Sequence, residues 1–509
     1  MSGNETGTAK ERGMVLAAFG CGAAHHYLFY GNDWGVSYPI FVLLFYVYFF
    51  WAVRERQVVF AFRRQHALLV PVLLLSLTYA LFTNTLFAVL NALAVPLLVV
   101  CHATRAVRVD ALRKAASAAG AAALVMEQLL VHTARYLPRP IVVLYQLVAG
   151  RLQAGRSREL LKVLLGLALS VPLLIVVITL LSSADSMFDR TMSRLPQLFE
   201  EAELGETIFR LLWIVAIACG LFGFVWGLLY PKRMQLQPKQ EEGAVQWEPP
   251  ALPAAAPLPR MDATVAMTML FMLNGVYLLF AVVQFSYFFG GGTADLPDGT
   301  TYAAYARRGF AELVVVTLIN WSVMMGSLYG VKRPGRGGWI LLRTLLAVMV
   351  GCSGIMLSSA YLRLSMYEEA YGYTMTRILV HAFMLFLVVL FLLALVKLWK
   401  EHTPLVRCYC IAAIVAYVIL NYANVDAIIA RNNMERYEAT GTVDTRYLAG
   451  LSYEVVPHLL AWKQTYPDMP GIDEALHDVR SRLESDGESA WMEFNWSKRR
   501  AAEALREAR

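Results

Sequence analysis

Charge is scarce in this sequence. Asp, Glu, Lys and Arg make up 16% of its 509 residues, against 58% hydrophobic residues. A soluble multidomain chain of this length needs more polar surface, so the composition excludes one and points to a polytopic helical membrane protein. Cysteine is equally thin. The six, at positions 21, 101, 219, 352, 408 and 410, lie in or beside apolar segments, which excludes a disulfide framework in the polar tail. Cys408 and Cys410 have one residue between them and no second pair to complete a zinc site. HExxH, GxSxG, a Walker sequence and paired CxxC motifs are all missing. Zinc or nucleophilic catalysis therefore has no sequence warrant, and no cofactor or metal is expected. The glycines of "FFGGGTADLPDG" precede no helix with a Lys, so they make no phosphate cradle. The basic residues flank apolar segments, which leaves nucleic-acid binding without support.

What is present is a series of apolar runs. Eleven are long enough, at roughly 17 to 25 residues, to cross a bilayer as helices. They cover 14–30, 38–53, 67–82, 86–102, 160–182, 207–230, 262–287, 309–330, 339–363, 377–399 and 407–428. Only Thr83, Asn84 and Thr85 separate the third from the fourth, so a re-entrant hairpin competes with two full spans there. The formal charge is +7. Lys and Arg are retained on the cytoplasmic side, and alternate loops carry about 25 of them against about five in the others. This places the amino terminus inside and, with eleven spans, residues 429–509 outside. No cleavable signal peptide is evident, because residues 1–13 are polar and the first run lacks a small-residue cleavage site.

The fold class expected is all-α, a polytopic transmembrane helical bundle with a small helical extracytoplasmic tail. Its segments are a four-span part (1–102), a cytoplasmic amphipathic segment (103–159), two spans with an outer loop (160–231), a flexible Pro-rich cytoplasmic linker (232–260), a five-span bundle (261–428) and the tail (429–509). Surface-lying helices fit the alternation of apolar and Arg positions in 103–159. In the tail, Ser452, Pro470 with Gly471, and Asn495 each precede a helical pattern. Trp462, Trp491, Phe494 and Trp496 are available for burial there, more than a disordered tail requires.

The polar residues of the spans are one-sided. "NYANVDAIIARNNMERY", 421–437, turns amide-rich and charged at the end of the last span. Read as continuous helix, it puts Asn421, Asn424, Arg431 and Glu435 in one stripe and Asp426 with Asn433 on another face. Arg431 and Glu435 are spaced to pair, and Asp426 invites neutralisation by an Arg of a neighbouring helix. "SAYLRLSMYEEAYGYTMTRILVHAF", 359–383, brings Arg363, Tyr367 and Glu368 to the outer end and returns through Arg377 and His381, which share a face. Arg308 and Glu312 show the same four-residue spacing, and Asp185 ends the fifth run. The first span adds His25 and His26, of which packing explains at least one. Arg343 and Asp262, near cytoplasmic ends, can snorkel. Deep positions are amides: Asn91, Asn274 and Asn320. Ionisable groups cost heavily in hydrocarbon, so their gathering in the outer half implies an outward-facing polar cavity.

Three blocks, "SAYLRLSMYEEAYGYTMTR", "TYAAYARRGFAEL" and "NVDAIIARNNMERY", make residues 160–509 resemble the bacterial membrane proteins grouped as domain-of-unknown-function family 4173. "SADSMF" and "FNWSKRRAA" add to the likeness, while Val425 departs from the small residue or Pro usual before that Asp. The resemblance implies a multi-pass protein of the bacterial cytoplasmic membrane and supplies no activity. Transport, sensing or envelope homeostasis through the polar cavity is the leading expectation, without catalysis. The rivals are a membrane-embedded enzyme acting on a lipid-linked or envelope substrate, with Glu312 or Asp426 as base, and a non-catalytic scaffold or signalling partner. Besides the bilayer, the expected partners are a small-molecule or lipid ligand in the outer half and a protein on 103–159 or on the tail.

Overall fold

The computed structural model describes residues 2–54, 66–115, 118–149, 204–231, 261–289, 302–486 and 490–508, with single helical positions at 166, 170, 174 and 177. Among them the chain is α-helical without a strand, and one isolated bridge joins Met261 to Val331. Seven helices among the described residues are long and apolar enough to cross a membrane, which marks a multi-pass membrane protein. The run at 160–182, apart from those single positions, and the linker at 232–260 lie outside the described residues.

Two compact units divide the chain. The first holds α1 (Ser2–Phe29), α2 (Ser37–Val53), α3 (Leu69–Leu81), α4 (Thr85–Val107), four short helices α5 to α8 (Val109–Lys114, Ala118–Glu127, Thr133–Tyr136, Arg139–Ala149) and α9 (Leu204–Leu229). With 13 residues, α3 extends only about 20 Å at 1.5 Å per residue, less than the roughly 30 Å of hydrocarbon. The deep amide Asn91 of α4 donates to Thr78 Oγ1 of α3 at 3.0 Å. Trp213 of α9 donates to His25 Nδ1 at 3.0 Å, and His26 stacks on Tyr30, so both histidines pack. The segment after α6 continues through a π-helical turn, Gln128–His132. It packs on α9, where Gln128 donates to the Phe224 carbonyl at 3.3 Å and Tyr136 to the Tyr230 carbonyl at 2.8 Å.

The second unit holds α10 (Ala263–Phe289), α11 (Tyr302–Gly330), α12 (Arg336–Tyr371), α13 (Met375–Trp399), α14 (Leu405–Tyr422) and α15 (Val425–Thr440), with the tail helices α16 (Thr445–Ala449), α17 (Val456–Thr465), α18 (Ile472–Ser485) and α19 (Trp496–Glu507). Its core lies along α12 and α13, where Leu346, Met349, Met356, Met384, Leu387 and Phe391 are buried. An amide in an apolar interior must find a partner. Accordingly Asn274 donates to the Leu345 carbonyl at 2.8 Å and Asn320 to Ser353 Oγ at 2.9 Å, each crossing to α12. Arg343 does more than snorkel. It pairs with Glu401 after α13, which also accepts from Trp339 Nε1 at 3.0 Å and meets Arg333 at 3.2 Å. The Trp339 hydrogen bond, then these arginines, hold the Glu401 carboxyl below its usual range.

The tail has a core of its own, with Leu448, Val455, Leu459, Met469, Ile472, Leu476 and Val479 buried. The three expected helix starts are found, α17 following a 3₁₀ turn at Tyr453–Val455. The aromatics depart from expectation. Trp462 is buried, but Trp491, Phe494 and Trp496 are exposed. These three fall in the segment 488–496 that belongs to the first unit, apart from the tail core.

Candidate functional site

The residues after the last apolar helix do not continue it. Ala423 ends α14, and Asn424 adopts a left-handed conformation, φ 49°, from which its side chain caps α15 by accepting from Ala427 N at 3.4 Å. An Asn tolerates that conformation better than most residues. This break corrects the continuous stripe expected for 421–437. Asn421 stays buried on α14 and donates to the Tyr417 carbonyl of its own helix at 2.9 Å. Arg431 and Glu435 do face each other, 4.0 Å apart, on the exposed side of α15.

The buried side of α15 seats this helix on the turn between α12 and α13. Asn433 accepts from Tyr373 N at 3.0 Å and donates to the Tyr373 carbonyl at 2.8 Å, reading one residue's backbone from both sides. Arg436 spreads over the end of α12, donating to the Glu369 carbonyl at 2.7 Å and the Ala370 carbonyl at 2.8 Å. Those carbonyls have no partner further along the helix, so a guanidinium is a fitting cap. Gly372, at φ 85° and ψ 165°, closes the helix and carries nothing on the side facing Asn433; a Cβ there would lie 2.8 Å from Asn433 Oδ1. Both its dihedrals and its surroundings require glycine.

Asp426 is 2% exposed and pairs with no arginine among the described residues. Its Oδ2 accepts from Asn84 Nδ2 at 2.8 Å and from Ser452 Oγ. The Asp–Arg neutralisation expected from sequence is thereby corrected. Ser452 spends its hydroxyl on that contact and makes no side-chain cap for the following turn. Nearby, Glu454 accepts from Thr83 N at 2.7 Å and Thr83 Oγ1 at 3.1 Å. Burial, with Glu454 adding, outweighs the hydrogen bonds from Ser452 and Asn84 and raises the Asp426 carboxyl above its ordinary range.

One turn before Gly372 lies the second buried carboxylate. Glu368 of α12 is 1% exposed, and its Oε2 stands 3.3 Å from His381 Nδ1 of α13. The ring of Tyr361 lies against His381, centroids 4.3 Å apart. Arg377 donates to the Gly372 carbonyl and stacks over Tyr367 at 4.3 Å. Glu368 Oε1 and His381 Nε2 are buried without a hydrogen-bond partner among the described residues. Leaving such atoms unpaired costs about 1–3 kcal/mol each, and for the imidazole the Tyr361 backbone lies close enough to offset part of that cost.

Of the residues singled out from sequence, the structure brings Tyr367, Glu368, Arg377 and His381 together. Arg363 is buried on the same helix. Asn421, Asn424, Asp426 and Arg431 occupy the separate positions given above. Glu312 is exposed on α11. The Arg308 side chain and Asp185 lie outside the described residues. Among the described residues, no three His, Cys, Asp or Glu gather where they could hold a metal ion. Sequence reasoning missed Asn84, Ser452, Arg436 and the backbone role of Asn433. Helical spacing gave no signal for any of them, because each partner is remote in sequence.

Residues 69–461 match the family described as "Domain of unknown function (DUF4153)". The likeness to a family without an activity stands, while its number, 4173, does not: the family matched is DUF4153. No curated protein and no solved structure matches the chain.

Proposed function

The chain belongs to the DUF4153 family, matched over residues 69–461, whose description names no activity, and from the site itself we propose that it is a proton-responsive membrane protein of the transport or sensing class. The supporting observation is the Glu368–His381 pair. A buried carboxylate and imidazole 3.3 Å apart, the carboxylate with one oxygen unpaired among the described residues, sit between two membrane-length helices. Such a pair can hold its shared proton on either member or lose it, and in an interior of low polarity each state repacks its neighbours differently. The groups facing the pair are Arg377 and Tyr361 on its own helices, Tyr373 in the turn, and Glu369 and Glu435 near that phenol. In this reading the site opens on the extracytoplasmic side of a bacterial cytoplasmic membrane.

The test is proton movement into proteoliposomes containing the purified protein and an entrapped pH-sensitive dye, after external acidification. The wild type should acidify the lumen faster than protein-free vesicles do, or show a pH-dependent spectral change that Glu368→Gln and His381→Gln both remove. Equal acidification together with pH-insensitive spectra sinks the proposal. A scaffold role is the second reading, favoured by the way Asn433, Arg436 and Asp426 spend their polar atoms on fixing neighbouring segments. A stoichiometric protein co-purifying from native membranes would support it.

A further inference from the structure

We infer that residues 490–496 form a membrane-interface anchor, an aromatic collar that rests in the lipid headgroup region of the first unit. The segment is pinned to the α1–α2 turn. Val36 N donates to the Phe494 carbonyl at 3.0 Å, and Asp33 N to Glu493 Oε1 at 3.0 Å. Asn495 donates to the Tyr79 carbonyl at 2.9 Å. Gly35 lets the two strands of chain touch, since a Cβ there would collide with the Glu493 backbone. A segment held by so many backbone contacts has a fixed face.

That face is aromatic and uncovered. Trp491 is 54% exposed, Trp496 56% and Trp34 49%, with Tyr27, Phe209 and Phe494 exposed beside them. They share one end of the unit: Tyr27 lies 6.5 Å from Trp491 by ring centroids, and Phe209 lies 6.0 Å from Tyr30 at the end of α1. Trp34 in turn lies tilted against Tyr38 and Tyr79, which stack on each other with centroids 4.1 Å apart. Water is a poor occupant for such a surface, and a single protein partner would need a bounded patch. The collar instead continues into the apolar flanks of the same unit, where Leu16, Leu43, Val47, Val89 and Leu93 are exposed along α1, α2 and α4. Flanks of that kind face lipid tails, and the residues that cap them at the water boundary are Trp and Tyr, whose rings are apolar and whose N–H or O–H reaches the headgroups. The occupant is therefore the bilayer interface itself. This rests on the chain being a membrane protein and not on the Glu368–His381 site.

The test uses the full chain in liposomes whose acyl chains are brominated either near the headgroup or near the bilayer centre. Bromine quenches nearby indoles. The fluorescence lost in Trp491→Phe and in Trp496→Phe, each compared with wild type, isolates those two indoles among the eleven. That component should be quenched about two-fold or more strongly by the shallow bromine than by the deep one, as an interfacial ring requires, and be shielded from aqueous iodide. Iodide quenching without bromine quenching overturns the inference, as does stronger quenching by the deep bromine. Quenching of the remaining tryptophans by either lipid confirms insertion, so failure of the collar and failure of the membrane reading are told apart. Unchanged elution and circular dichroism of the variants show that folding is intact.

Discussion

Gly372→Ala is the sharpest perturbation of the turn on which α15 rests. Two costs add. The dihedrals, φ 85° and ψ 165°, fall in a region open essentially to glycine alone, worth about 1–3 kcal/mol for any other residue. The new Cβ would lie 2.8 Å from Asn433 Oδ1, so the amide must withdraw. Withdrawal breaks its two bonds to Tyr373, 3.0 and 2.8 Å long, at about 1 kcal/mol each. Together the substitution should cost about 3–5 kcal/mol. Asn433→Ala alone removes the same two bonds and should cost about 2–3 kcal/mol. In the double variant the amide is already gone, so Gly372→Ala adds only its dihedral strain. The cycle should therefore close with a coupling of about 2 kcal/mol in the direction of a double variant less damaged than the sum. Equilibrium unfolding in mixed micelles, followed by circular dichroism, measures all four corners. Additive costs would refute the seating of Asn433 on the turn, and a Gly372→Ala protein within about 0.5 kcal/mol of wild type would refute the strain as well.

Three other outcomes follow from the same contacts. Burial raises the Asp426 carboxyl, so the folded state holds its proton more tightly than the unfolded chain, and its contribution to stability falls as pH rises from about 4, the ordinary carboxylate range, through the raised value; Asp426→Asn should flatten that slope in unfolding series run at several pH values, and an unchanged slope contradicts the assignment. Arg436→Lys cannot reach the Glu369, Ala370 and Thr442 carbonyls together, so it should lose nearly as much as Arg436→Met, about 1 kcal/mol for a half-exposed cap, and speed hydrogen exchange at 372–374 seen by mass spectrometry. Asn320→Leu should change stability by less than about 1 kcal/mol, since hydrogen bonds between membrane helices average about 0.6; a loss above about 2 kcal/mol would assign Asn320 more than its bond to Ser353.

The helices were legible in the sequence as apolar runs, 262–287 over α10 and 377–399 within α13, whereas α12 continues to Tyr371, beyond the run at 339–363, because its last two turns carry polar side chains. The pairing of Arg431 with Glu435 was legible too, because both lie on one helix and spacing alone decides it. Asn424 was not. Its left-handed backbone interrupts what composition reads as one amphipathic pattern, and the side-chain cap on Ala427 fixes the break in place. Asp426 was read as needing a cation, yet a buried carboxylate in a low-polarity setting is also stabilised by neutral donors, here Asn84 and Ser452, the first 342 positions away. Asn433 looked like one more polar residue because its partner is a backbone unit 60 positions away, which no periodicity encodes. The exposed indoles at 491 and 496 show a further limit: hydrophobicity says that a side chain leaves water, and says nothing about whether protein or lipid receives it.

The length of α12 carries a mechanical corollary. Its 36 residues form a rod of about 54 Å without a proline to bend it. Between Glu368 at one end and Trp339 with Arg343 at the other, the Gly351–Gly354 stretch is where such a rod bends most easily. Under the proton-responsive reading, a shift begun at Glu368 divides among residues 372–374, that glycine stretch and the far end, where Glu401 grips Trp339 and Arg343.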